Sequence, residues 1–305
     1  MKKITIITII FLMFHPLFAM KPDTTRYEIT PNHYGLQYRR IDFYTSDNVR
    51  LVGWLIPVQE YKPLIKNEYG QLIPAYFDNP IVNEYDVNKY SAKPTIILSD
   101  GDAGNMCYNI WIANEFSKSG FNTFLFDWRG FGESQHWKID KKALWLSEFR
   151  LDLEAAIEIV ANLQEVDSTK ICAYGTYFGF ADIFVTAVKN HKIKCIGGQH
   201  LISNLVDFKK CLCSVNKRAK KLKLPPQDKE FLYPIDCADK LECPIYCMVG
   251  EYDIRTPVWM EESIFLKIKS TKKLNIVLGA GEHCGLDEND LNVYKEVCNF
   301  FKENL

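Results

Sequence analysis

The sequence predicts an α/β fold: a mostly parallel central sheet with helices on both faces, an antiparallel N-terminal hairpin and a small cap. Three observations predict it. From Pro94 onward, short apolar runs alternate with amphipathic stretches of helical period, the pattern of a parallel sheet covered on both sides. Residues 38–57 instead alternate apolar and polar side chains around Ser46-Asp47-Asn48, which is the pattern of a hairpin. The segment Gly175-Thr176-Tyr177-Phe178-Gly179 follows an apolar run and precedes a helical pattern. Glycines two residues either side of a central position mark a strand that turns sharply into a helix.

The elements follow in order. Ile41-Asp42-Phe43-Tyr44-Thr45 and Val49-Arg50-Leu51-Val52-Gly53-Trp54-Leu55 form the hairpin. Residues 58–93 are rich in Tyr, Asn and Pro and sustain no period. They read as an insertion with a short hairpin around Gly70, long enough to shape a pocket rim. Thr95-Ile96-Ile97-Leu98 is a buried strand, residues 105–119 a helix ending at Gly120, and Thr123-Phe124-Leu125-Phe126 the next strand. Residues 143–163 place Leu153, Ile157 and Val160 at helical spacing. Strand 170–174, helix 178–190 and strand 193–198 lead to a cap-like excursion, 200–241. Strand 244–249, helix 257–268, strand 274–278 and a last helix with Val293, Val297, Phe300 and Phe301 on one face complete one domain, 38–305.

The chain has 305 residues with a formal net charge of -1. That length suits one large domain, and the near-neutral balance argues against a nucleic-acid partner or an anionic membrane surface. Lys2-Lys3 precede an apolar run from Ile4 to Phe14, and Ala19 closes the segment. Residues 1–19 therefore read as a secretory signal peptide, too short for a comfortable membrane span. The expected location is periplasmic or secreted; the alternative is an anchor through an uncleaved N-terminus, the only expected membrane contact. Ten cysteines leave disulfides open, but Cys172, Cys195, Cys243 and Cys247 lie in apolar strands, where a buried thiol acts as a small hydrophobe. No Cys/His spacing supports a zinc site. The basic run Lys217-Arg218-Ala219-Lys220-Lys221-Leu222-Lys223 reads as a solvated helix face of the cap rather than a site for an anionic partner.

In such sheets ligands bind at the carboxyl ends of the strands, and several of those ends carry unusual residues. They are Ser99-Asp100-Gly101-Asp102-Ala103-Gly104-Asn105, Asp127-Trp128-Arg129-Gly130-Phe131-Gly132-Glu133-Ser134, the turn at Tyr177, Gly250-Glu251-Tyr252-Asp253, and Gly279-Ala280-Gly281-Glu282-His283-Cys284-Gly285. Together these resemble the α/β-hydrolase superfamily, in the branch with a HGNAGN-like oxyanion loop, an RGFGES-type segment and a small cap: serine esterases, thioesterases and aminopeptidase-like hydrolases. The resemblance covers roughly residues 38–305 apart from the insertion. It implies that Tyr177 holds the nucleophile position, Asp253 is the orienting acid and His283 the general base. It implies an oxyanion hole from the backbone N–H of Phe178 and one near Asp102 and Ala103. Arg129 and Glu133 are expected to brace their loop. No cofactor and no metal are implied.

Two departures shape the functional expectation. The family's nucleophile is Ser, and here it is Tyr177. A tyrosyl oxygen lies several ångströms further from its Cα, overshoots the place the Phe178 N–H addresses, and brings a ring into the substrate space. Asp100 also stands where the family often has His, and Asp102 adds a second carboxylate beside the oxyanion hole. Lost or much reduced serine-hydrolase activity is expected, with a small acyl-type ligand or substrate in the pocket. The alternative is an active hydrolase using Tyr177 itself or a water activated by His283 and Asp253. A metal held by Asp100, Asp102 and His283 is a weaker reading.

Overall fold

The computed structural model describes residues 20–60, 64–67, 72–99, 103–225, 232–285 and 292–305. The expected signal peptide, 1–19, lies outside them. The chain runs β1 (Lys21–Pro22), β2 (Arg39–Tyr44), β3 (Arg50–Ile56), β4 (Leu64–Lys66), β5 (Leu72–Pro74), β6 (Lys93–Ser99), β7 (Ala103–Gly104), α1 (Ile110–Lys118), β8 (Asn122–Asp127), α2 (Phe149–Ala161), β9 (Val166–Thr176) and α3 (Tyr177–Lys189). It continues through β10 (Ile193–Gln199), α4 (Leu205–Val215), α5 (Pro234–Cys237), β11 (Ile245–Gly250), α6 (Trp259–Phe265), β12 (Lys272–Val277) and α7 (Asn292–Asn304). The central sheet has the order β12-β11-β10-β9-β6-β8-β3-β2. Only β2 and β3 run antiparallel to their neighbours; the other pairs are parallel. In the stretch 58–93, β4 and β5 pair as a separate small hairpin.

Both faces of the middle of the sheet are dry, and its inner strands read so because their side chains alternate between two cores. Ile97, Phe124, Phe126, Ile171 and Ala173 face α2 and α3, where Leu153, Ile157, Val160, Phe180 and Phe184 meet them. Ile96, Leu98, Leu125, Cys172 and Tyr174 point the other way, onto Ile110, Ala113 and Phe116 of α1 and Val297 and Phe301 of α7. The cysteines are free thiols, and Cys172, Cys195 and Cys247 are buried in the sheet while Cys243 is half-buried.

Two helices start later than their sequence pattern suggests. Residues 143–148 were expected in the second helix, but Ala143 bridges Lys223 and the Leu144 N–H donates to the Lys223 carbonyl at 2.9 Å. That pairing ties the loop to the cap, so α2 begins at Phe149. The stretch from 105 opens as a 3-10 turn, Met106–Asn109, because the Asn105 side chain caps the Cys107 N–H. In the excursion after β10, α4 is capped by Asn204. The basic run forms a 3-10 turn, Lys217–Lys221, with its charged residues exposed and Ala219 buried. No helix among the described residues is long and apolar enough to cross a membrane.

Candidate active site

The site forms where β9, β10, β11 and β12 end. Gly175 pairs with Ser99 of β6 on one side and Gly198 of β10 on the other. A Cβ on Gly175 would stand 2.7 Å from the Phe180 amide nitrogen and 2.8 Å from the Gly179 carbonyl carbon. The sharp strand-to-helix turn therefore has room only for glycine there. Tyr177 sits at its apex with φ of 46°, a left-handed conformation that is uncommon for a residue with a side chain. The first turn of α3 follows, where the leading amides of a helix have no intrahelical carbonyl.

Tyr177 turns inward. It is 8% exposed, and its ring lies against the imidazole of His200, with centroids 4.5 Å apart and planes 12° apart. His200 directly follows β10, is fully buried and also has positive φ. Its Nδ1 is 2.7 Å from Asp253 Oδ2. Asp253 accepts three further hydrogen bonds: Oδ1 from the N–H groups of Arg255 (2.7 Å) and Thr256 (2.9 Å), and Oδ2 from the Thr256 hydroxyl (2.8 Å). Burial works against ionising Asp253, but the His200 contact and the Thr256 donors outweigh it and hold the carboxyl below its usual value. An ionised Asp253 can only accept, so His200 Nδ1 carries a proton and donates to it.

His200 was not among the residues singled out from sequence. The available signal was weak but physical: Gly197-Gly198 at the end of an apolar strand marks a close approach, and the next residues are Gln199 and His200. Asp253 was singled out, and its described partner is His200. The backbone of His283 lies in the 3-10 turn Glu282–Gly285, and its side chain lies outside the described residues. The neighbouring Cys284 is buried, with its Sγ 3.8 Å from His200 Nε2.

The remaining residues expected in the site divide. Phe178 is buried under the cap, stacked on Trp145 at 5.6 Å and edge-on to Phe208. Together with Val185, Ile202, Leu205 and Leu232 it lines a narrow apolar crevice beside the elbow. Ala103 is exposed and pairs, as part of β7, with Lys21 of β1. Asp100 and Asp102 lie outside the described residues. Among the described residues no cluster of three metal-ligating side chains occurs. Arg129 is buried and donates to both oxygens of Asp47, at 2.7 and 2.9 Å, and from Nε to Asp152 at 2.8 Å, and Glu133 pairs with Arg40.

Chemically, the arrangement offers a buried imidazole, His200, with an orienting carboxylate, Asp253. A neutral imidazole accepts a proton along its lone pair, in the plane of the ring. The phenol of Tyr177 lies over the face of that ring rather than at its edge, so the stack is not a geometry for proton transfer from Tyr177 to His200.

No family model matches the chain. It is 29% identical over 143 residues to the YfhR protein of Escherichia coli K12, which covers 47% of this chain and 39% of that protein. It is 25% identical over 162 residues to protein Bem46 of Schizosaccharomyces pombe, covering 53% of this chain and 43% of Bem46. The match thus spans about two fifths of the length of these relatives. Among solved structures, the Pyrococcus furiosus esterase Pf2001 superposes with a TM-score of 0.67 at 15% identity, covering 93% of this chain and 99% of the esterase. The α/β hydrolase GrgF from Penicillium superposes with a TM-score of 0.63 at 15% identity, covering 88% and 99%. With its strand order, its elbow and these neighbours, the chain has the α/β-hydrolase fold.

Proposed function

We propose that this chain is an exported member of the α/β-hydrolase superfamily that has lost ordinary serine-hydrolase chemistry and retains a pocket for a small acyl-type ligand. The observation that carries this reading is the parallel stack of Tyr177 on His200. At the place where a serine hydroxyl would meet the edge of an imidazole, an aromatic ring covers an imidazole face. A phenol so placed cannot pass its proton along the lone pair, and its bulk occupies the approach of a carbonyl group. The apolar wall of the crevice beside Phe178 suits a small acyl group, and likeness of fold to the Pf2001 esterase and the α/β hydrolase GrgF supports the superfamily. The basic N-terminal apolar segment supports export.

The test compares wild type with Tyr177→Ser using p-nitrophenyl acetate and a fluorophosphonate probe. Wild type is expected to show neither turnover nor labelling. Labelling of Tyr177 that vanishes in Tyr177→Phe would overturn the reading in favour of a tyrosine nucleophile. Turnover appearing only in Tyr177→Ser would show that the acid–base machinery survives around an altered centre, worth on the order of 10²–10⁴-fold in rate.

A further inference from the structure

β12 ends the sheet order and pairs with β11 alone; among the described residues no strand lies on its other side. The Ile245 N–H donates to the Thr271 carbonyl at 2.9 Å and the Glu251 N–H to the Val277 carbonyl at 3.0 Å, and the register between those ends is unbroken. The odd-numbered residues therefore face β11, and Lys272, Leu274 and Ile276 turn their N–H and C=O groups outward. An open edge of this kind is a template for another strand, and edge lysines are a common guard against it. Here both lysines are drawn away from the edge. Lys272 Nζ donates to the Phe265 and Ile268 carbonyls at the end of α6, at 2.6 and 2.7 Å. Lys273 Nζ lies 5.1 Å over the Tyr246 ring and 3.6 Å from Glu296.

The two ends of this edge differ in charge. Leu266, 86% exposed, and the exposed Lys267 and Lys269 precede the strand, while Leu278, 80% exposed, and the exposed Glu251 stand at its end. Those two leucines are the most exposed large apolar side chains among the described residues. Glu251 is fixed beside Leu278, because its Oε2 accepts from the Gly279 N–H at 2.8 Å. The adjoining Arg255 and Glu282 neutralise each other at 3.0 Å. One end is thus apolar and basic, the other apolar and acidic. Such a surface matches itself when turned about a two-fold axis.

We propose that β12 is the seam of a symmetric homodimer, in which a second copy of this chain adds its own β12 antiparallel and joins the two sheets into one. With Leu274 opposite Leu274 of the second copy, Lys272 faces Ile276 of the second copy, and each outward N–H meets an outward carbonyl. A slip of one residue would set groups already bonded to β11 against open ones. Carried past the strand ends, the same register puts Leu278 opposite Ser270 and Gly279 opposite Lys269, so each Lys269 comes to the Glu251 that the other copy holds at Gly279. The added strand supplies main-chain hydrogen bonds, and the charged ends supply the orientation. The carboxyl ends of the two sheets then point in opposite directions, and each copy keeps its own site.

Sedimentation velocity and deuterium exchange on the full chain test this. The protein is expected to pass from monomer to dimer as its concentration rises to about 100 µM. The amides of Lys272, Leu274 and Ile276 are expected to exchange more slowly as the dimer forms, while those of β2, the opposite edge, stay unchanged. Glu251→Lys sets like charges against Lys269 and is expected to weaken the dimer at least about ten-fold. Glu251→Lys/Lys269→Glu exchanges the two charges and is expected to restore it. Both side chains are exposed, so these variants keep the fold, and the exchange measurement needs no variant at all. A chain that stays monomeric throughout that range overturns the proposal. So does a dimer that protects β2 instead of β12, or one that is indifferent to Glu251→Lys.

Discussion

Asp182, one turn into α3 below the elbow, is fully buried and receives one long contact, from Arg150 Nε at 3.3 Å. Its Oδ2 has no hydrogen-bond partner among the described residues. Burial raises its carboxyl from 3.8 to about 7, against a smaller opposing pull from Arg150. An acid raised on folding binds a proton in the native state that the unfolded chain has already released. Between 3.8 and about 7 the Asp182 contribution therefore lowers stability as pH rises. Asp182→Asn removes that dependence, and Arg150 stays partly in water. The advantage of the variant over wild type is expected to be larger at pH 8 than at pH 5 by on the order of 2–3 kcal/mol, read from thermal melts at both values. Asp253 has the opposite sign. Its lowered carboxyl stabilises the fold above the unfolded value, and that stability is lost as pH falls through the folded value.

At the scale of elements, the best-marked part of the sequence is also the best-packed. The α7 pattern of Val293, Val297, Phe300 and Phe301 was legible because a helix on a covered sheet must show a stripe. Those residues now lie against the face formed by Cys172, Tyr174 and Tyr246. Phe301 is fully buried, stands edge-on to Phe121 and fills the space left by Gly197, where a Cβ would come within 2.9 Å of its ring. Phe301→Ala is expected to cost about 3–5 kcal/mol, because the rigid strand beneath cannot collapse into the cavity. The denaturation midpoint in urea checks it, and a loss below about 1 kcal/mol would mean that α7 is not a structural part of this core. The α2 start shows the limit of the same signal: residues 143–148 carry helical spacing, yet the backbone of 143 and 144 pairs with Lys223 in the cap. A pairing across 80 residues is not written in local periodicity.

Across the whole molecule, what was legible was whatever chain order and strand ends dictate: the sheet, the elbow and Asp253. What was not legible was which side chain meets Asp253, because His200 and Asp253 are joined by the register of β10 on β11 rather than by spacing in sequence. The Arg129 cluster shows the same long-range logic in a form that mutation can measure. Arg129 has no exposed side-chain surface and ties three distant pieces: the hairpin turn through Asp47, its own loop after β8, and α2 through the buried Asp152. Its guanidinium also stacks at 4.8 Å over Trp137. Hydrogen bonds from Arg129 are the largest influence on Asp47, holding it at about 2. The guanidinium fork suits this work because it can serve two carboxylates at once. Arg129→Leu leaves the buried Asp152, already raised to about 6 by burial, without the partner that favours its ionised form, and is expected to cost about 3–5 kcal/mol. Arg129→Leu/Asp152→Leu removes both charges together, so it should lose less than the sum of the two single variants, by about 1–3 kcal/mol in the cycle. Urea unfolding of the four proteins measures that coupling. If the losses simply add, the buried pair is not the tie between hairpin and helix, and the hold must come from the packing of Trp128 on Phe149 alongside it.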